Sequence, residues 1–185
     1  MENHTKNVIK NLRLCLKRLS ENDLHLNLRK CQFFRSSVEY LGHSIAYNTV
    51  GKAQRKITAI AELPRPRNVA ELRRFLGMVT YYAAFIPDLA SITAPLRTLL
   101  CKNKSYRWSA QCEAAFTQLK NEITSERVLT VYNPDAPLTL ATDASLVGVA
   151  AVLSQETDGY ERPIAYTSRS LSLTERHYSQ LDREL

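Results

Sequence analysis

The sequence predicts an α+β protein, a largely helical first part followed by an incomplete mixed β-sheet with a closing helix. Three observations carry this expectation. Before Pro134, apolar residues recur mostly at steps of three and four, the period of helices packed by one face. From Leu138 the period shortens to two, and small and β-branched residues take over. Charge divides near the same place: residues 1–107 hold 19 Lys/Arg and 7 Asp/Glu, a balance of +12, while residues 108–185 hold 6 and 11, a balance of −5.

The first elements follow from spacing. Between Thr5 and Ser20, Val8, Ile9, Leu12, Cys15, Leu16 and Leu19 form one apolar helical face, opposite Lys6, Lys10, Arg13 and Lys17. Leu24, Leu26 and Leu28 alternate with polar residues, the pattern of a short strand, and Val38–Ile45 reads as a strand pair with Gly42 at a bulge or close approach. Pro64-Arg65-Pro66 is a rigid hinge. Asn68 with Glu71 three residues later is a capping-box pattern, opening a helix that runs to about Phe85 before Pro87.

Ile92–Leu100 reads as a further helix. Ser109 opens another, with Cys112, Ala115, Phe116, Leu119 and Ile123 on its inner face and Trp108 among the core residues. Pro134-Asp135-Ala136-Pro137 is a turn, after which three strands are expected: Leu138 to Asp143, Val147 to Leu153, and one around Ile164-Ala165-Tyr166, with Gly159 at a hairpin tip. A last helix is expected from Ser172 to Leu185, with Leu173, Tyr178, Leu181 and Leu185 as its apolar face.

Composition narrows the function classes. With 185 residues, 44% hydrophobic and 23% charged, the chain suits one or two small globular domains. It has no apolar run of the roughly 18 residues that a membrane span needs, and its polar first residues lack the apolar core of a secretory signal. Cys15, Cys31, Cys101 and Cys112 show neither CxxC spacing nor nearby histidines, so they read as reduced thiols of an intracellular protein, cytoplasmic or nuclear. The basic excess suits a surface that faces a polyanion; a solvated basic surface is the plainer alternative.

Asp143 is the sharpest chemical candidate. A carboxylate on a central strand is costly to desolvate unless a cation offsets it; the plain alternative is a strand-end Asp that caps Ser145 or nearby amides. Glu184, on the last helix, is the second candidate, with Glu175 and Asp182 as competing acids. A strand carboxylate and a helix carboxylate can share a metal, and paired metals support phosphodiester hydrolysis.

Residues 138–185 carry Thr142-Asp143-Ala144-Ser145, Gly148, Ala151-Val152-Leu153-Ser154-Gln155, Arg162-Pro163-Ile164-Ala165-Tyr166, Ser168-Arg169-Ser170-Leu171, Glu175-Arg176, Tyr178 and Glu184-Leu185. The upstream part carries Lys30-Cys31-Gln32-Phe33-Phe34, Tyr40-Leu41-Gly42-His43, Glu71 to Gly77, Tyr81-Tyr82, Phe85-Ile86-Pro87, and Trp108 followed by Ala115-Phe116. These motifs resemble the Pol polyprotein of gypsy-type LTR retrotransposons, the first set the start of its RNase H domain and the second the end of its reverse transcriptase.

The resemblance implies a division into the end of a polymerase palm with a primer-gripping hairpin (1–47), a thumb or connection-like helical region (48–128) and the start of an RNase H-like domain (129–185). It implies Asp143 and Glu184 as catalytic and metal-binding carboxylates, with Mg²⁺ as the cation. It places two further acidic ligands after residue 185 and the polymerase aspartates before residue 1. Tyr40, Leu41, Gly42 and His43 then belong to the hairpin that grips the primer. Arg73, Arg74, Gly77 and Tyr81 belong to a thumb helix lying along the minor groove, where the arginines reach phosphates. The implied partners are an RNA–DNA hybrid or DNA template-primer and the remainder of the Pol polyprotein, with no membrane.

Departures from the family pattern are Ala150, Thr49 and Asp23 where glycines are common, and Ala83-Ala84 where a basic pair is common. The implied parent is an RNA-directed DNA polymerase with RNase H activity. Two carboxylates alone hold Mg²⁺ weakly, so this segment is expected to be weakly active or inactive by itself. The alternative is a non-catalytic or domesticated nucleic-acid binder. A third reading is a poorly stable product whose exposed strand edge favours aggregation.

Overall fold

The computed structural model describes residues 2–101 and 105–184 and divides the chain into two compact units, 1–35 and 36–185. In the first unit, helix α1 spans Glu2–Glu21, and Val8, Ile9 and Leu16 on its apolar face remain more than a third exposed. The strand expected at Leu24–Leu28 does not form. Asp23 turns the chain with φ 53°, Leu24, Leu26 and Leu28 are exposed, and a single 3₁₀ turn follows at Leu28–Lys30. Alternation alone gives no strand where no neighbour supplies a ladder, and none does among the described residues.

The second unit opens with strands β1 (Ser37–Tyr40), β2 (His43–Ala46) and β3 (Thr49–Lys52), which with β4 (Leu129–Thr130) form an antiparallel sheet in chain order. This sheet runs across both 47/48 and 128/129. Between β3 and β4 lie α2 (Gln54–Ala61), α3 (Val69–Tyr81), α4 (Leu89–Thr98) and α5 (Ala110–Thr124). Asn68 caps α3 as its sequence predicts, its Oδ1 accepting from the Glu71 amide at 2.9 Å. The helix stops at Tyr81, short of Phe85, and a 3₁₀ turn covers Ala83–Phe85.

The five residues expected on the inner face of α5 are all buried. They join Ile57 and Ile60 of α2, Leu72, Phe75, Leu76 and Val79 of α3, and Leu89 and Leu96 of α4 in one core. Phe75 and Phe116 meet at 4.8 Å between ring centroids, and Trp108 packs edge-on against Phe116. Each large apolar side chain buried in this way stabilises the fold by roughly 1.5–3 kcal/mol.

A second antiparallel sheet comprises β5 (Leu138–Ala144), β6 (Gly148–Thr157) and β7 (Tyr160–Ser170). Pairing is antiparallel throughout the described strands, where a mixed sheet was expected. Asp158 and Gly159, both at positive φ, make the tight β6–β7 turn. Pro163 lacks an N–H for the ladder, and the register shifts beside it, with Leu153 facing Ala165 and Ser154 facing Pro163.

This sheet is fastened to α4. The Ala90 amide donates to Ser168 Oγ at 2.9 Å, and the Ser91 and Ser145 hydroxyls meet at 3.1 Å. A Cβ on Gly148 would lie 3.0 Å from the Arg169 carbonyl and 3.3 Å from Ser91 Oγ, so the helix approaches because that side chain is missing. Buried Gln155 ties β6 to the segment after β4, accepting from the Asn133 amide and donating to the Val131 carbonyl, both at 2.9 Å.

The last helix is shorter than its apolar spacing predicts. Glu175–His177 is a 3₁₀ turn, Tyr178 is extended, and α6 covers only Gln180–Glu184. Leu173, Tyr178 and Leu181 are exposed, so no apolar burial holds one continuous helix together. Leu185, the fourth expected member of that face, lies outside the described residues.

Lys52 is the one buried cation of the described core, 8% exposed, with Nζ donating to the Glu122 carbonyl and Ser125 Oγ at 3.2 Å each. Burial first, and then the Arg127 guanidinium, lower its pKa to about 8, against the opposing pull of Glu122. A lysine depressed in the folded state releases its proton there before the unfolded chain does. Stability therefore rises with pH from about 8 towards 10.5. Urea unfolding between pH 8 and 10 will show this increment, and it will be missing in Lys52→Met. Parallel curves for the two proteins would remove the assignment.

Candidate functional site

Two groups of expected site residues come together in the second unit. The first is at the β1–β2 turn. Leu41 and Gly42 are its central residues, at φ 47° and 81°, a two-residue turn with both residues left-handed. Gly42 is therefore a turn glycine and not a bulge. The space beside it is filled from within: a Cβ would meet Lys56 Nζ at 2.7 Å. Tyr40 and Leu41 are exposed, at 61% and 69%.

The turn is docked onto the end of α3. The Tyr82 hydroxyl donates to the Gly42 carbonyl at 2.8 Å, and the Tyr81 hydroxyl donates to the Leu41 carbonyl. His43 stacks on Tyr81 at 5.4 Å and on Phe85 at 5.7 Å and meets Tyr82 edge-on at 5.8 Å. Its Nδ1 is buried without a hydrogen-bond partner. Burial raises the Tyr82 phenol pKa, with nearby Tyr81 and Glu39 adding to the shift, so it stays a donor at neutral pH. Of the sequence candidates, His43 is thus an inward packing residue, while Tyr81 stays 46% exposed.

Arg73, Gly77 and Tyr81 are spaced by four along α3, which sets them on one side of the helix, and all are exposed, as is Arg74. Nothing lies within 4 Å of where a Gly77 Cβ would sit. A mid-helix glycine costs about 1 kcal/mol relative to alanine, and the surrounding packing does not require it here. This face therefore has two arginines, a bare stretch of backbone and a fixed aromatic ring in order.

The second group is at the open end of β5. Asp143 and Glu184 line one concavity of about 380 Å³, together with residues of β5, β6 and β7 and with Arg183. The Ser145 hydroxyl closes the β5–β6 turn, accepting from the Gly148 amide at 3.0 Å and the Val147 amide at 3.3 Å. Helix α6 is then tied to this end, through Gln180 Nε2 to the Ala144 carbonyl at 3.1 Å and Arg183 Nη1 to the Ser145 carbonyl at 3.2 Å. Gln180 also donates to the Glu184 carboxylate. Sequence spacing did not single out Gln180 or Arg183, whose partners lie 36 and 38 residues away.

Asp143 is exposed on an outer strand of the described sheet and not desolvated on a central one. Its candidacy therefore rests on its place beside Glu184 and not on desolvation. The two competing acids have local tasks. Glu175 makes a two-bond pair with Arg169, at 2.8 and 3.0 Å, and accepts from the Ser172 amide; Arg169 first and then Ser172 lower its pKa to about 2. Asp182 accepts from the Ser179 hydroxyl at 2.6 Å and its amide donates back, capping α6. Among the described residues no three His, Cys, Asp or Glu side chains gather as a metal-binding group. No described helix is long and apolar enough to cross a membrane.

Residues 108–185 match the RNase H-like domain found in reverse transcriptase. The chain is 40% identical over 187 residues to the retrovirus-related Pol polyprotein from transposon opus of Drosophila melanogaster, covering 95% of this chain and 19% of that protein. It is 34% identical over 178 residues to the transposon Tf2-3 polyprotein of Schizosaccharomyces pombe, covering 96% and 13%. It thus spans less than a fifth of the length of these relatives.

Among solved structures, the foamy viral protease-reverse transcriptase dRH in complex with ds DNA superposes with a TM-score of 0.86 at 23% identity, over 98% of this chain and 32% of that one. The foamy viral protease-reverse transcriptase in complex with RNA/DNA hybrid gives 0.80 at 23% identity, over 95% and 24%. At these identities the likeness is one of fold. The chain is thus similar along nearly its whole length to retrovirus- and transposon-type Pol polyproteins, and its residues 108–185 match the RNase H-like domain found in reverse transcriptase.

Proposed function

We propose that this chain is a segment of a retroelement reverse transcriptase and ribonuclease H that holds an RNA–DNA or DNA duplex and supplies two carboxylates to a nuclease site. The observation that carries the nuclease reading is that Asp143 and Glu184, from a strand and a helix, line the same concavity while Glu175 and Asp182 are engaged elsewhere. In this reading residues 1–47 end a polymerase palm, 48–128 form the thumb and connection, and 129–185 begin the ribonuclease H domain. The remainder of a Pol polyprotein is the natural partner. Foamy viral enzymes of the same fold were solved with duplex nucleic acid, which supports the choice of ligand.

Two exposed carboxylates suit a hard, mostly hydrated divalent cation such as Mg²⁺. When bound, it supplies Lewis-acid activation of water and charge stabilisation at a scissile phosphodiester. The protein's own part is positional. The Ser145 turn fixes the end of β5 and with it Asp143, and Gln180 orients the Glu184 carboxylate. With only two carboxylates, cleavage by this chain alone is slow. A non-catalytic duplex binder is the second reading, favoured by the exposed arginines, bare Gly77 and Tyr81 along α3.

Incubating the full chain with a labelled RNA–DNA hybrid and Mg²⁺, beside Asp143→Asn, separates the two readings. Weak cleavage of the RNA strand that falls at least tenfold in the variant supports the nuclease reading; retention without cleavage in both proteins supports the binder. Gly77→Ala tests the groove face. It raises thermal stability by roughly 0.5–1 kcal/mol, the helix-propensity gain, yet weakens hybrid binding several-fold because the methyl group occupies the open backbone. A stabilised variant with unchanged affinity would remove Gly77 from the interface.

A further inference from the structure

We propose that Lys56, which lies outside every motif of the chain, is a backbone-phosphate contact of the duplex-binding face, with Tyr81 and Gly42 positioning it. This deepens the duplex reading above and rests on it. Lys56 is exposed on α2, one residue before buried Ile57, so its stem starts at a fixed point on the core. Its ammonium lies over the Tyr81 ring, 5.0 Å from the centroid. Its Nζ and last methylenes fill the space beside Gly42, where a Cβ would come within 2.7–3.1 Å of them.

Tyr81 is immobilised by the Leu41 carbonyl, His43 and Tyr82. It is therefore a platform more than a side chain free to swing into a base stack. Among the described residues Lys56 forms no ion pair, so the ring orders a cation whose charge remains available.

Placement supports the same assignment. Arg73, Gly77 and Tyr81 follow one another along α3, and Arg73 lies about 12 Å along the axis from Tyr81. Lys56 over Tyr81 puts a second cation at the far end of that row. A span of about 12 Å corresponds to roughly three to four phosphates of one strand. The stretch between carries no side chain at Gly77, so two cations bracket a surface that lets a backbone come close. Such an arrangement grips phosphates without reading sequence.

The test is fluorescence anisotropy of a labelled RNA–DNA hybrid across a salt series, using the full chain, Lys56→Gln and Lys56→Arg. We expect Lys56→Gln to bind roughly three- to tenfold more weakly. The slope of log affinity against log salt should shrink by about one phosphate contact, and Lys56→Arg should keep the parental slope. If Lys56→Gln binds as the parent does, or loses affinity with an unchanged slope and a lower melting temperature, Lys56 is a packing residue and the proposal fails. If the parent chain does not bind hybrid even at low salt, the duplex reading falls first and this one with it.

Discussion

The candidate nucleic-acid face depends on one docking event, the seating of the β1–β2 turn on the end of α3. Two phenol hydroxyls reach two consecutive backbone carbonyls, Tyr81 to Leu41 and Tyr82 to Gly42. The Gly42 carbonyl also accepts from the Ala53 amide at 3.0 Å, so the start of α2 shares in the joint. His43 completes the joint by packing its ring among Tyr81, Tyr82 and Phe85. Without this joint, Tyr40 and Leu41 would sit on a free hairpin tip, and Lys56 would lose both the ring and the turn it rests against. The cost is visible in the unpartnered Nδ1 of His43 and in a leucine held at positive φ.

The carboxylate site obeys a similar logic with weaker means. Nothing buries Asp143 or Glu184; their common concavity exists because Gln180 and Arg183 of a five-residue helix donate to the last carbonyls of β5 and its turn. The turn is in turn held against α4 by the Ser91–Ser145 contact, and α4 can come so near only because residue 148 is glycine. The helical half thereby sets the position of the strand end that carries Asp143. Local salt bridges and caps occupy the neighbouring acids Glu175 and Asp182, while Asp143 and Glu184 line that opening.

Much of this was legible in the sequence where the information is local. The inner face of α5, the Asn68 cap and the tight turn at Gly159 each follow from residues close together in the chain. The misreadings share a cause. Leu24, Leu26 and Leu28 have the rhythm of a strand but no neighbour among the described residues, and the apolar spacing after Ser172 has no surface to bury against. The tyrosine hydroxyls, Gln155, Lys52 and Gln180 were silent because the partners that tie them to other elements lie between 22 and 73 residues away, where pattern carries no signal. The family motifs single out Tyr81, Gly77 and Asp143 as site candidates, whereas what holds Tyr81 and the strand end of Asp143 in place is visible only in three dimensions.

In the proposed reading, duplex nucleic acid lies on the face built from the β1–β2 turn, Lys56 and α3. Charge alone would equally favour α1, with Lys6, Lys10, Arg13 and Lys17. Hydrogen–deuterium exchange of the full chain with and without a saturating RNA–DNA hybrid distinguishes them most directly. Slowed exchange is expected at residues 40–43 and along α3 to Tyr81, with α1 little changed. Protection confined to α1, with the turn and α3 exchanging as in the free protein, would contradict the proposed reading.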